Sequence, residues 1–379
     1  MKPSVLFITK VYFLDAALEF IDEVKDYVKL DVLIEIDPAS KHANILKVDK
    51  LPQNGTFFAP EQILDQLSYS HFKKYIEKCN SFQFFVHQNP RSISVSSIKK
   101  SMILDNYLRQ IKPDFVHFDD VSLRLIGLTY LRNFKRPKLI LNVHDPIQHS
   151  GEKNKKILFT RKRFYPRVYK FVTFSKYSKL LFENEYGKKK KCVSFRLKPY
   201  LFFRNFMNTQ PVKKEYFTFV GRVSEYKGVD LFLEAIKLLN VNFPDAKYCI
   251  AGIPVNNSLA NKLKTEYNFP NVEFKFRHIE NEEMVQLIQR SKAIVCPYKD
   301  ATQSGVVMTA IALDTKLIVT DQGGLPEYIL DESIGTVCKA NPDSIVEAIE
   351  NFMSIDNSNN QIIDHNFEIT ESKILSLYN

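Results

Sequence analysis

The chain has 379 residues, 45% of them apolar and 25% charged, a balance that excludes a disordered or collagenous chain and suits two ordinary hydrophobic cores. No apolar run approaches the roughly 20 residues that cross a bilayer, and the opening MKPSVLFITKVYFLDAALEF, interrupted by Asp15 and Glu19, reads as a first strand and helix rather than a cleaved leader. The formal net charge of +10 admits three kinds of partner: nucleic acid, an anionic membrane surface, or phosphorylated small molecules.

The excess charge is concentrated in RNFKRPK (132–138), EKNKKILFTRKRFYPR (152–167) and YGKKKKC (186–192). The second cluster interleaves Ile, Leu, Phe and Tyr with its cations, the composition of a basic amphipathic helix suited to an interface. Nucleic acid is not expected as a partner, because no helix-turn-helix or RNA-binding signature accompanies the charge. The five cysteines (Cys79, Cys192, Cys249, Cys296 and Cys338) are scattered, with no C-x-x-C pair, and read as free thiols in a reducing cytoplasm.

In chain order, SVLFIT (4–9) and KLDVLIEI (29–36) are β-branched apolar runs around a helical stretch. DFVHF (114–118), KLILNVHD (138–145) and KFVTFS (170–175) repeat the theme. A second series follows: YFTFVGR (216–222), KYCIAG (247–252), VEFKF (272–276), AIVCPY (293–298) and KLIVTD (316–321). Amphipathic segments at 228–240, 257–267 and 281–291 separate these strands. Short apolar strands alternating with helices predict an α/β chain whose parallel sheets carry helices on both faces. The segment 196–216 breaks the rhythm with two prolines, which places a junction near residue 205. The resulting domains are 1–205 and 206–355, with a tail, 356–379, forming a terminal helix that packs back on the first domain.

Ligands of open parallel sheets bind outside the carboxyl ends of the strands, so chemistry is sought in the strand-end loops. In FVGRVSEYKGVD, Arg222 and Lys227 flank a short loop between Gly221 and a helix start, an arrangement that can clamp a diphosphate. In PYKDATQSG, Gln303 and Ser304 supply polar groups near a helix N-terminus, and Gly305 permits close backbone approach. DQGGLPE offers Gly323 and Gly324 for a similar approach, with Glu327 just beyond Pro326. The first series ends one strand in NVHDPIQHSGEK. The pair His144 and His149 invites a zinc reading, but Pro146 keeps them off one helix and no third ligand is spaced nearby, so no metal is expected.

Taken together, FVGRVSEYKGVDLFLEAIKLL, AGIP, AIVCPYKDATQSGVVMTAIA and VTDQGGLPE resemble the C-terminal half of family 4 glycosyltransferases, in the correct order over about residues 215–330. The resemblance implies the GT-B fold: two Rossmann-like domains with parallel sheets facing across a cleft. It implies a retaining, metal-independent transfer of a sugar from a nucleotide-diphosphate sugar, with no cofactor. Arg222 and Lys227 look like the pair that holds the diphosphate and stabilises the leaving phosphate. His144 resembles the N-domain histidine that contacts the donor sugar, and Arg277-His278-Ile279 sits where the nucleotide base packs against backbone. Gly221, Gln303, Ser304, Gly305, Gly323, Gly324 and Glu327 complete the implied donor site.

The chain departs from the family pattern in its E-x7-E motif, whose second Glu falls at Thr309 and whose first falls at Asp300 or Ala301. Gln303-Ser304-Gly305 stands in its place. The Gly-Gly that often follows the family's first strand is also missing here. The resemblance further implies a saccharide or lipid-linked saccharide acceptor and a role in cell-surface polysaccharide biosynthesis, in a cytoplasmic enzyme held peripherally on the inner membrane face by its basic N-domain segments. Two other readings stay open at this point: a degenerate, non-catalytic module of the same fold, and a nucleotide-sugar epimerase.

Overall fold

The computed structural model describes residues 2–43, 45–148, 154–208, 210, 212–354, 367 and 370–379. Contacts divide the chain into two units: Met1–Phe174 with Lys179–Phe195 and Ile369–Asn379, and Ser175–Ser178 with Arg196–Glu368. The division at Phe195 precedes the junction expected near residue 205. The reason is local: the Tyr200 amide donates to the Met308 carbonyl at 3.2 Å and Arg204 Nε to the Ala312 carbonyl at 2.6 Å, which ties the intervening segment to the second unit.

The first unit contains β1 (Ser4–Lys10), α1 (Leu14–Val24), β2 (Lys29–Ile36), β3 (Phe57–Phe58), α2 (Gln66–Ile76), β4 (Ser81–Val86) and α3 (Val95–Ile111). It continues through β5 (Phe115–Asp119), α4 (Leu128–Leu131), β6 (Lys138–Asn142), α5 (Lys155–Phe164), β7 (Val168–Thr173), α6 (Lys176–Tyr186) and β8 (Cys192–Ser194). Sheet order is β3-β4-β2-β1-β5-β6-β7-β8. All pairings are parallel except that of β3, a two-residue edge strand that runs antiparallel to β4 and so departs from the expected all-parallel sheet. β5 is buried along its whole length and β2 in all but its first residue, as strands covered on both faces must be. α1 buries Leu14, Leu18, Ile21 and Val24, a spacing that keeps one helical face on the sheet. Leu104 and Leu108 of α3 join Val116, Leu139 and Phe171 in the core.

The second unit contains β9 (Tyr216–Val220), α7 (Val229–Asn242), β10 (Lys247–Ala251), α8 (Asn257–Glu266), β11 (Val272–Lys275), α9 (Asn281–Gln289), β12 (Ser291–Cys296), α10 (Gly305–Ala312), β13 (Leu317–Thr320), β14 (Gly335–Cys338) and α11 (Pro342–Ser354). Its strand order, β11-β10-β9-β12-β13-β14, is the doubly wound dinucleotide-fold order, with every pairing parallel. β9 has β10 on one side and β12 on the other. The direction of winding reverses there, so the loops after β9 and β12 flank the point where such sheets hold ligands.

The chain closes with α12 (Glu371–Leu377), which belongs to the first unit. Ile374 and Leu377 are fully buried, the Tyr378 hydroxyl is 2.9 Å from His117 Nδ1, and Lys170 Nζ donates to the Ser376 and Leu377 carbonyls. No helix among the described residues is long and apolar enough to cross a membrane.

Candidate active site

The loop after β9 and the loop after β12 are packed on each other through backbone that admits no side chain. Gly228 has φ +64°, and a Cβ there would lie 1.9 Å from the Pro297 carbonyl oxygen. The Lys299 amide donates to the Tyr226 carbonyl at 2.8 Å, and Lys299 Nζ pairs with Asp230 at 2.5 Å. Gly252, φ +138°, is held against the Gly221 carbonyl in the same way, so the β10 end closes on the β9 end. Gly228→Ala is therefore expected to cost about 1–3 kcal/mol of stability, read as a lower Tm, and to weaken nucleotide binding by separating the two loops.

Within this frame the predicted clamp residues converge. Arg222, exposed, reaches the Tyr226 hydroxyl with Nη2 at 3.4 Å. The Lys227 ammonium lies 3.7 Å from the centre of the Tyr298 ring, a cation–π contact that holds it over the ring. Tyr298 is buried, which pushes its phenol well above the ordinary range, and its hydroxyl is 3.2 Å from Ser304 Oγ. Tyr298 thus joins the Lys227 loop to the start of α10. In the sequence, a tyrosine at the end of an apolar strand looks like core, so this role is not legible there. Ser224, in the same loop as Arg222, is buried, and its hydroxyl has no hydrogen-bond partner among the described residues.

Ser304 is the N-cap of α10: its Oγ accepts from the Val307 amide at 3.4 Å. The other first-turn amides, which a helix cannot satisfy internally, stand at the rim beside Gln303 and Gly305. Thr309, at the position of the second Glu of the E-x7-E pattern, is buried and donates to the Gly305 carbonyl at 2.9 Å, so its hydroxyl is turned to its own helix. Gly323 and Gly324 do permit a close approach, but to protein: a Cβ on each would meet the carbonyls of Ala301 and Thr302 at 1.8 and 2.4 Å. That contact holds the β13 loop against the β12 loop. Glu327, expected on the donor, accepts from the Lys176 and Tyr177 amides at 2.8 Å with its two oxygens. An acid there caps the free amides at the start of a helix.

Arg277 and Ile279 follow β11, the outermost strand, and so flank the switch point rather than line it. The Arg277 guanidinium forms a two-pronged pair with Glu283, both bonds at 2.7 Å, which leaves the backbone of this stretch for any contact with a base.

In the first unit, His144 follows β6 and is 5% exposed. Its ring stacks on Phe13 at 4.1 Å and 6° and packs on Phe174 at 4.8 Å. Nε2 is 2.8 Å from Asp119 Oδ1. Burial alone pushes the imidazole down, but the Asp119 charge and hydrogen bond outweigh it, and the ring is held above its ordinary value. Burial likewise pushes Asp119 up, and it is outweighed by His144 and by hydrogen bonds from Asn142 and Thr9, so this carboxyl is held below its ordinary range. The Thr9 hydroxyl donates to Asp119 Oδ2 and Asn142 Nδ2 to Oδ1, both at 2.9 Å. Asn142 Oδ1 is 2.7 Å from His117 Nε2. Burial drives His117 down to about 4, so at neutral pH it is uncharged, donates from Nε2 to the amide oxygen and accepts from the Tyr378 hydroxyl. A buried polar chain therefore runs Tyr378, His117, Asn142, Asp119, His144, through the adjacent strands β5 and β6. His149 lies outside the described residues, so the zinc pair considered above has only its His144 member here, committed to Asp119.

Residues 204–368 match the family described as "Glycosyl transferases group 1". A curated relative, an uncharacterized glycosyltransferase of Methanocaldococcus jannaschii, is 24% identical over 263 residues; the match spans 64% of this chain and 64% of the relative's length. Among solved structures, sucrose-phosphate synthase from Thermosynechococcus elongatus superposes with TM-score 0.64 at 14% identity, covering 100% of this chain and 95% of that one. The catalytic domain of starch synthase IV from Arabidopsis thaliana, bound to ADP and acarbose, gives 0.65 at 11% identity, covering 100% and 99%. Residues 204–368 thus match a group 1 glycosyl transferase domain, and the two Rossmann-like units have the GT-B fold.

Proposed function

We propose that the protein is a retaining glycosyltransferase that moves a sugar from a nucleoside-diphosphate donor to a saccharide or lipid-linked saccharide, without a metal or other cofactor. The observation that carries this reading is the convergence of Arg222, Lys227 and the Ser304-capped start of α10 on the β9/β12 switch point. Two cations and free amides there match a diphosphate. The Ser224 hydroxyl, buried without a partner among the described residues, is a further group for a phosphate oxygen. As the glycosidic bond to the donor breaks, negative charge grows on the leaving diphosphate, and fixed donors stabilise it more than they do the bound donor. No side chain of this loop set is a strong nucleophile, in keeping with front-face transfer in which the leaving phosphate takes the acceptor's proton. The ADP bound in the starch synthase IV structure supports a nucleotide as ligand.

The test is a thermal-shift panel of nucleoside diphosphates and nucleotide sugars, followed by product analysis of any sugar that binds. Ligand that binds only the native state raises Tm as its concentration exceeds Kd. Stabilisation by one base, and transfer with retained anomeric configuration that chelator leaves unchanged, is the expected result. No shift with any nucleotide would leave the degenerate module as the better reading; a new sugar nucleotide formed without acceptor would identify an epimerase.

The acceptor side of the proposal is a peripheral enzyme of cell-surface polysaccharide assembly on the cytoplasmic membrane face. α5 exposes Leu158 (52%) and Phe159 (48%) beside Lys155, Lys156 and Lys162, and Arg163 covers the exposed Tyr130 ring at 4.1 Å. Aromatic and aliphatic side chains among cations suit an anionic bilayer. Binding to anionic vesicles is expected to weaken steeply between low and physiological salt and to fail in Leu158→Asp/Phe159→Asp. Equal sedimentation of that variant with vesicles would sink this part of the proposal.

A further inference from the structure

The carboxyl ends of the first unit's strands carry His144 and Asp119; a separate cavity of about 1090 Å3 lies at their amino ends, where β1, β5 and β6 begin. Its lining is cationic. Arg109 and Lys112 come from the end of α3, Lys2 from the segment before β1, and Arg132, Lys135, Arg136 and Lys138 from the approach to β6. Asp114 is the one acidic side chain among the lining residues, and it accepts from the Ser4 amide at 2.9 Å.

The local acids account for only part of this charge. Asp105 pairs with Arg109 at 2.8 Å and with Arg132 at 2.7 Å, and Lys2 donates to the Asp26 carbonyl. The Lys138 ammonium lies over the Phe115 and Tyr169 rings rather than against a carboxylate. Lys112, Lys135 and Arg136 make no ion pair among the described residues. These three cations come from two chain segments and converge on one concavity. Like charges around a concave wall focus a positive potential, and the repulsion among them is relieved by a polyanion. The volume suits a ligand of nucleotide size.

We infer that this cavity is a second anion site, which takes a multiply phosphorylated group through Lys112, Lys135 and Arg136. The site is independent of the proposed glycosyl transfer, and its chemistry is phosphate recognition by lysine and arginine. It is also placed to be sensed: Tyr378 lines the cavity, and its hydroxyl begins the buried chain that ends on His144.

The test is calorimetric titration of the full chain with inorganic tripolyphosphate, in an Arg222→Ala/Lys227→Ala background that silences the other anion site. One saturable binding event is expected. Lys112→Glu/Lys135→Glu/Arg136→Glu, all exposed positions, is expected to weaken it at least tenfold with the circular dichroism unchanged. A parallel arm measures sedimentation with phosphatidic acid vesicles. Loss of tripolyphosphate binding in the triple variant identifies a soluble phosphate ligand; loss of vesicle binding alone assigns the phosphate to a lipid headgroup. The inference is overturned if the reversal changes neither, or if the starting protein binds neither.

Discussion

Arg222→Ala and Lys227→Ala are each expected to cut turnover about 100- to 1000-fold, close to the loss of one preorganised donor to a developing anion, ~3–4 kcal/mol. Both side chains are positioned at one loop, yet their supports differ. Lys227 rests on the buried Tyr298 ring, so its ammonium is fixed before any ligand arrives. Arg222 is exposed, with Nη2 3.4 Å from the Tyr226 hydroxyl. Lys227→Ala should therefore fall mainly on kcat, and Arg222→Ala should raise KM as well. Tyr298→Leu gives a finer check, because it removes the ring under Lys227 while leaving the cation. It should reproduce part of the Lys227→Ala loss. Steady-state kinetics with the cognate nucleotide sugar measure all three, and near-normal rates in both alanine variants would defeat the diphosphate assignment.

The second large effect belongs to Asp119. Asp119→Ala is expected to destabilise the first unit by about 3–5 kcal/mol, the cost of removing one partner of a buried pair, because His144, Asn142 and Thr9 all lose their acceptor. The same change should lower the His144 titration, since burial would then be opposed only by the charges of Asp120 and Asp145. The stability linkage has a definite sign. His144 is raised on folding, so its contribution is full below about pH 6.5 and drains as pH rises through the folded value. Asp119 is lowered, so its contribution is full above about pH 4 and is lost as pH falls through its folded value. The pair stabilises most in the window between. Histidine ring NMR and urea unfolding at several pH values measure both effects. Asp119→Asn keeps the size of the side chain and removes its charge, so it should lower the His144 titration with a smaller loss of stability. An unmoved titration in both variants would show that Asp119 does not set the charge of His144.

Much of this was visible in the sequence, for physical reasons that also explain what was not. Apolar runs four to eight residues long mark the strands, and a loop that follows one must lie at a carboxyl end. That logic found GRVSEYKG and PYKDATQSG. Strand order does not follow from periodicity, and it is the adjacency of β9 and β12 that brings Lys227 onto Tyr298. Glu327 shows a different limit. GGLPE predicts an acid at a ligand loop, but the amides it caps, Lys176 and Tyr177, lie about 150 residues away in sequence. Asp119 and His117 escaped notice because DFVHFDD reads as an ordinary strand running into an acidic turn. Only the three-dimensional neighbours, Thr9, Asn142 and Tyr378, turn those side chains into one connected chain.

The membership of α12 in the first unit has a consequence for the order of synthesis. The second unit, apart from Ser175–Ser178, is made of Arg196–Glu368 and leaves the ribosome before α12 does. The first unit is begun earlier but waits longer: the His117 and Phe115 rings lack Tyr378, and Lys170 Nζ lacks the Ser376 and Leu377 carbonyls, until those residues emerge. Nascent domains ordinarily complete from the N-terminus onward. Here the later-started unit has all of its segments first, and the earlier one lacks its last segment until α12 is translated.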